Sequence, residues 1–517
     1  MSGTHLRRNP WIALAVLCVA VFLVVVDNTI VNVALPIVSE RLHASNAGLQ
    51  WIVDGYSLPF AGLLLAGAEI ADRWGRLRVM NSALVAFALW SVMAATSHSM
   101  TQLLVARALM GATAAFIFPA TLSLVTVAFD NEEDRAKAFG IWGATAGVAI
   151  ALGPVAGGYL LNHYWFGSVF LVNVPVAVVA LVLTWWYVGE SKSPVSRGLD
   201  GMGLLLGSVG VSALVFAIIE APSWGWASPR VLALVGVFLV MSGAFIAVEM
   251  GKADPLLDVR LFRRANFSAG AAAIATSFFS LFGFIFYVTQ YFQMVRGYSA
   301  LSSGIHTLPF ALVTIVTTPV AALLALRAGS RWVVGAGLVV MGSAMIWFAS
   351  LPAHVAYFVP VVGAMALFGV GFSLITPSST AAVMGSLTEA QIGSGAAVNE
   401  TTRELGGTLG VAVMGSVFAS TFAQRITGGF RHAGLSKTLV VQARGSMQAA
   451  LSTVEHLPVA LRASTSAVVQ DSFMGAFQRT TVVGGLVAIV VGVVVVAWLP
   501  SSPLTRRRRL VVDGSPE

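Results

Sequence analysis

The chain has 517 residues, of which 57% are hydrophobic and only 10% charged, with a formal net charge of +8 and a single cysteine. A soluble globular domain carries about 25% charged residues, so with a mean hydropathy of +0.85 this chain is excluded from that class and is expected to be an all-α polytopic membrane protein. Its apolar runs are continuous rather than alternating, which excludes a β-barrel, and the lone Cys18 excludes an intramolecular disulfide and a thiolate metal cluster.

At about 20 apolar residues per crossing, the runs place helices near 11–36, 48–68, 79–97, 101–127, 137–161 and 168–188. Two more follow at 201–220 and 230–250, and a last set at 267–292, 302–326, 332–350, 356–377, 393–423 and 478–499. The pattern is six, two, six. It divides the chain into an N-terminal six-helix bundle (1–190), an inserted two-helix hairpin with its linkers (191–265), a C-terminal six-helix bundle (266–500) and a tail (501–517). Arg73, Arg76, Arg78, Arg135, Lys137, Lys252 and Arg260 fall on one side of this arrangement, whereas the short loops of the other side hold only Arg41, Arg230 and Arg296. By the positive-inside rule both termini are expected in the cytoplasm. The basic excess is therefore a matter of topology and predicts no nucleic-acid partner. A long extracellular loop is expected at 424–477, with amphipathic helices between 446 and 469 that lie on the outer face or form a lid.

The first helix carries Asp27 in the run VFLVVVDNTIVNVALP. A carboxylate at membrane depth costs a few kcal/mol and normally faces a bundle interior or a wet cavity, so Asp27 is a functional candidate, with Asn28, Thr29 and Asn32 widening the polar stripe. Helix two brings Trp51, Asp54 and Tyr56, and helix four brings Arg107 to a similar depth in the outer half. Two carboxylates and a guanidinium in one layer suit a proton site, because moving the Arg relative to the acids changes their proton affinity.

Between helices two and three, Asp72, Arg73, Gly75 and Arg76 form a short charged turn that can clasp helix ends. Helix five holds Gly143, Gly147, Gly153, Gly157 and Gly158, spaced for close helix approach, with Pro154 as a bend. Eight aromatics crowd helix nine between Phe278 and Phe292, and some of them are expected to face lipid. In helix thirteen Glu400 and Glu404 share a face. Arg403 is placed to pair with Glu400, which leaves Glu404 to attract a cation.

Four of these stretches carry a family resemblance. Asp27 to Pro36, the turn Ala71-Asp-Arg-Trp-Gly-Arg-Leu-Arg78, Arg107-Ala-Leu-Met-Gly111 and the Gly153-Pro154, Gly157-Gly158 pattern are similar to signature motifs of the major facilitator superfamily. The six-two-six count resembles its fourteen-helix drug/proton antiporter family. Ala68 and Ile70 stand where the superfamily loop usually has Gly and Leu. An acid at Asp54 resembles the branch that exports quaternary ammonium and other organic cations. The resemblance implies a major-facilitator-type fold with 14 transmembrane helices and proton-coupled multidrug efflux by alternating access, in a bacterial cytoplasmic membrane. Asp27, Asp54 and Arg107 would couple protons. Glu400, Glu404, Tyr56 and Trp51 would bind substrate. Asp72, Arg73, Gly75, Arg76, Gly153, Pro154, Gly157 and Gly158 would gate the conformational change. Expected partners are lipophilic or cationic small molecules, protons and membrane lipids, for a monomer with no cofactor beyond the proton. A dedicated exporter of an endogenous metabolite, antibiotic or lipid precursor would share every motif. No Gly-X4-Gly-Lys-Ser/Thr loop, no Gly-X-Ser-X-Gly elbow and no metal-ligand spacing occur in the sequence, so neither ATP hydrolysis nor other enzyme chemistry is expected.

Overall fold

The computed structural model describes residues 9–129, 131–192, 200–252, 255, 258–384, 386–387 and 392–498. The expected tail at 501–517 lies outside them. In lipid every backbone polar group must be satisfied within the chain, which leaves helices as the spanning element for continuous apolar runs. Among the described residues fourteen helical segments are long and apolar enough to cross a membrane. The protein is a multi-pass membrane protein.

The first bundle comprises α1 (Pro10–Ile30), a short α2 (Leu35–Leu42), α3 (Asn46–Trp74), α4 (Arg76–Ala95), α5 (Met100–Ala128), α6 (Glu132–His163), α7 (Ser168–Leu171) and α8 (Asn173–Tyr187), the last two forming one crossing. Side-chain caps mark the starts: Ser45 Oγ accepts from the Gly48 amide and Ser99 Oγ from the Gln102 amide. The hairpin is α9 (Gly201–Trp224) and α10 (Pro229–Gly251). The second bundle holds α11 (Ala265–Gln290), α12 (Ala300–His306), α13 (Leu308–Ala328), α14 (Ser330–Ala349), α15 (Val362–Met384), α16 (Ile392–His432) and α19 (Val459–Trp498), with the small helices α17 (Lys437–Ala443) and α18 (Met447–Glu455) between the last two. Helices α12 and α13 together make one crossing.

Three expectations are corrected. The stretch 424–477 is largely helix: α16 runs 41 residues and α19 runs 40, about 60 Å each at helical rise, far beyond the ~30 Å hydrocarbon core. Their projecting ends pack on each other, with Phe430, Val469 and Phe473 buried and Arg425 paired with Asp471 at 3.4 Å. Polar residues on the outer faces of these ends imitate a loop in a hydropathy reading. The amphipathic helices sit at 437–443 and 447–455, so the expected 446–469 stretch is split between α18 and the start of α19. Second, the aromatics of α11 turn inward. Tyr287 stacks on Phe418 and Tyr291 on Phe477 at ring-centroid distances of 4.2 and 5.3 Å, both inside the bundle. Third, no atom lies within 4 Å of a Cβ built on Gly143 or Gly147, so the close approach belongs to Gly153, Gly157 and Gly158 alone.

The hairpin lies against both bundles, along the line where α3 meets α16. Trp51 Nε1 donates to Glu220 Oε1 at 3.1 Å and Ser208 Oγ to the Gly62 carbonyl at 3.3 Å. Val215 and Ile219 of α9 pack with Ala412 of α16. At the hairpin's base Lys252 pairs with Asp200 and, at 3.2 Å, with Glu249. Burial works against the Asp200 carboxylate, yet hydrogen bonds from Lys252 and the Gly203 amide outweigh it and hold its pKa below the ordinary value. For Lys252 burial pulls the other way, and its two acids prevail and raise its pKa.

Candidate functional site

Asp27 sits one turn before the end of α1, where the helix tightens into a 3-10 turn at Val31–Val33. Its carboxylate is fully buried and engaged at both oxygens. Arg107 Nη1 of α5 donates to Oδ2 at 2.6 Å, and Asn173 Nδ2 of α8 donates to Oδ1 at 2.6 Å. Arg107 also donates from Nε to the Ile52 carbonyl of α3 at 3.1 Å and lies over the Tyr56 ring at 4.3 Å. The Tyr56 hydroxyl in turn donates to the Val24 carbonyl at 3.3 Å. One guanidinium thus ties α1, α3 and α5 together through an ion pair, a backbone carbonyl and a ring face, a combination its planar fork permits and an ammonium would not. Asn173 went unnoticed in the sequence, because a lone Asn near the start of an apolar run carries no signal until the fold sets it beside Asp27.

Beside this pair a cavity of about 610 Å³ opens between the bundles. Asn28 and Thr29 of α1, Phe60, Phe118 and Trp142 wall it from the first bundle, and Phe278 and Phe282 from the second. Glu400, Arg403 and Glu404 of α16 complete the lining. Arg403 Nη1 holds Glu400 Oε1 at 2.8 Å and lies 5.4 Å from the centre of the Phe278 ring. Glu404 has no ion-pair partner among the described residues. The helix therefore offers the cavity one neutralised acid and one free one, walled by aromatic faces that suit a lipophilic cation.

Of the residues expected to bind substrate, Glu400 and Glu404 line the cavity, while Trp51 and Tyr56 do not: Trp51 turns outward to Glu220, and Tyr56 is consumed beneath Arg107. Asp54 is fully buried on α3, and among the described residues neither of its oxygens has a hydrogen-bond partner. It does not join the Asp27–Arg107 pair.

The glycines of α6 mark where the bundles meet. A Cβ on Gly153 would lie 2.0 Å from Thr29 Oγ1, and one on Gly158 would lie 2.4 Å from Leu301 Cα of α12. From the other side, a Cβ on Gly304 would lie 2.3 Å from the Pro154 carbonyl. Thr289 and Gln293 add cross-bundle hydrogen bonds to the Asn32 and Val33 carbonyls at 3.2 and 3.0 Å, and Gln50 of α3 packs on Gly415 of α16. All these contacts lie on the side of the cavity nearer α17 and α18, so the bundles are sealed at that end. At the opposite end Arg76 Nε pairs with Asp72 Oδ1 at 2.6 Å within one turn. Gly75, at φ 114°, ends α3 and starts α4, a backbone conformation that glycine adopts without strain. Glu190, which the sequence did not single out, accepts from the Leu77 and Arg78 amides at 3.1 and 3.0 Å and so caps α4 from beyond α8.

Comparison with known proteins agrees with this geometry. Residues 17–411 match the family model described as Major Facilitator Superfamily. Multidrug efflux pump LfrA of Mycolicibacterium smegmatis is 32% identical over 96% of this chain and 97% of its own length. Methyl viologen resistance protein SmvA of Salmonella typhimurium is 31% identical over 87% of this chain and 90% of its own length. A bacterial homologue of the human lysosomal transporter Spinster, solved inward-facing and unoccupied, superposes with a TM-score of 0.63 at 18% identity, covering 96% of this chain and 98% of that one.

Proposed function

Because the chain belongs to the major facilitator superfamily, and is thus a transporter rather than an enzyme, we propose that it is a proton-coupled antiporter that exports lipophilic, chiefly cationic, compounds from a bacterial cytoplasm, with both termini inside. The observation that carries this reading is the buried Asp27–Arg107 pair set directly behind a cavity that holds the free carboxylate of Glu404. A proton on Asp27 removes one charge of the pair and leaves a buried guanidinium unbalanced, which costs several kcal/mol. That cost favours an arrangement in which α5 shifts against α1 and Arg107 finds water or another acceptor. The bundles then rock about the cavity, breaking the contacts at Gly158 and Gly304. Asp54 takes a second proton in this reading. The cation held by Glu404 leaves on the far side.

Support comes also from a relative named for resistance to methyl viologen, an organic dication. Exchange of a monovalent cation for two protons moves one charge inward, and the membrane potential then contributes about 2.3 kcal/mol per 100 mV. The transporter works as a monomer in this reading, with the proton as its only coupling agent. The test is ethidium efflux from everted vesicles under an imposed pH gradient. Uptake of the dye by wild-type vesicles, collapsed by dissipating the gradient, is the expected result. Vesicles that move a neutral cellular product but no cationic dye would replace this reading with that of a dedicated exporter.

A further inference from the structure

A second cavity, of about 900 Å³, lies outside the bundles, between the hairpin and the seam of α3 and α16. Its inner wall is Leu58, Ala61, Gly62 and Leu65 of α3 with Thr401 and Leu405 of α16. Those α16 positions are interleaved with Glu400, Arg403 and Glu404, which face the central cavity, so one helix thickness, about 10 Å, separates the two spaces. The same is true of α3, where Phe60 faces inward. Toward the sealed end the seam is closed, with Gln50 on Gly415 and Ala412 packed under α9. At the level of Leu65 and Thr401 the hairpin roofs it instead.

The roof is kept open by small residues. A Cβ on Gly207 would meet only Phe245, at 3.6 Å. The lining is almost wholly apolar, and among the described residues no acid or base contributes to it. At the hairpin base Asp200 and Glu249 are both paired with Lys252. One polar atom stands out: Thr401 Oγ1 is buried and has no hydrogen-bond partner among the described residues. A site with apolar walls, no counter-ion and one unused hydroxyl fits a neutral lipophilic molecule carrying a single hydrogen-bonding group.

We infer that this lateral cavity is a second binding site, taking neutral lipophilic substrates from the membrane before they pass between α3 and α16 into the central cavity. The inference rests on the exporter reading for the direction of passage, but binding at the site can be read without transport.

The experiment uses full-length protein in vesicles with buried Cys18 replaced by Ala, and a single new cysteine at either Ser242, in the lateral cavity, or Ala146, in the central one. Maleimide labelling is timed with neutral N-phenyl-1-naphthylamine, with cationic ethidium or with oleate. The expected result is that the naphthylamine slows labelling of Ser242→Cys while ethidium slows only Ala146→Cys. Adding Gly207→Phe should abolish the first protection and raise the KM for naphthylamine efflux about tenfold, equal to ~1.4 kcal/mol, with the ethidium KM unchanged. Gly207→Ala, for which the structure has room, should behave as wild type and show that the hairpin still docks. Labelling of Ser242→Cys that the naphthylamine never slows, or that only oleate slows, would overturn the inference, the latter assigning the cavity to an acyl chain. Protection of Ser242→Cys in a protein that exports neither dye would uphold the site while removing the exporter reading.

Discussion

Arg107 and Asp27 meet at 2.6 Å with both side chains fully buried, joining α5 to α1 in the interior of the first bundle. Breaking such a pair from one side costs about 3–5 kcal/mol, because the remaining charge is left buried and alone. Asp27→Asn is therefore expected to abolish pH-driven ethidium efflux and to lower the thermal stability of purified protein. Arg107→Lys should fail as well, since an ammonium cannot serve Asp27, the Ile52 carbonyl and the Tyr56 ring together. Full coupling in either variant would remove the pair from the mechanism.

Glu404 is the free acid of the central cavity, whereas Glu400 is occupied by Arg403. Glu404→Gln should raise the KM for ethidium about tenfold, a loss of ~1.4 kcal/mol, and leave that for a neutral substrate unchanged. Glu400→Gln should instead release Arg403 into the cavity and weaken cation transport by adding positive charge. A dye panel of matched size and differing charge reads both effects.

The glycines of α6 divide into two groups by their surroundings. Gly158→Leu places side-chain atoms into the Ala300–Leu301 backbone and should prevent closure at that end, cutting efflux at least tenfold while surface expression persists. Gly147→Ala adds a methyl where nothing lies within 4 Å, and should transport at the wild-type rate. Parallel efflux assays of the two variants check the contrast.

The clamp at the hairpin base should ignore physiological pH. Asp200 has its pKa lowered on folding, so its stabilisation is present above the ordinary carboxylate value and lost only as pH falls through the folded one. Lys252 has its pKa raised, so its stabilisation is present below the ordinary lysine value and lost only as pH rises through the folded one. Between about pH 4 and 10 the clamp is constant. Lys252→Met leaves two acids facing each other and should destabilise by roughly 1–3 kcal/mol, between the values for exposed and buried pairs. Melting curves of both proteins at pH 5, 7 and 9 test this, the expected difference being similar at pH 7 and 9 and smaller at pH 5, where one of the variant's two facing acids takes up a proton.

Capping of α4 by Glu190 predicts that Glu190→Ala costs about 1 kcal/mol. Its signature is faster proteolysis in the turn around Gly75, with the central cavity unaffected.

The sequence by itself determined the fourteen crossings and the six-two-six order, since lipid leaves a 20-residue apolar run no alternative to a helix. It also singled out Asp27, Arg107, Glu400 and Glu404, because a charge at membrane depth is an anomaly wherever it stands. The local Arg403–Glu400 pair was legible too, being a matter of helical spacing. The rest depended on which helices become neighbours. Only the tertiary structure decided that Asn173 completes the Asp27 site, that Trp51 serves the hairpin rather than the cavity, and that Gly158 but not Gly143 meets another helix. The projecting ends of α16 and α19 were hidden for a related reason. Outside the membrane a helix is stabilised by its partner's face rather than by an unbroken apolar run, and that face is identified only when the two helices pack.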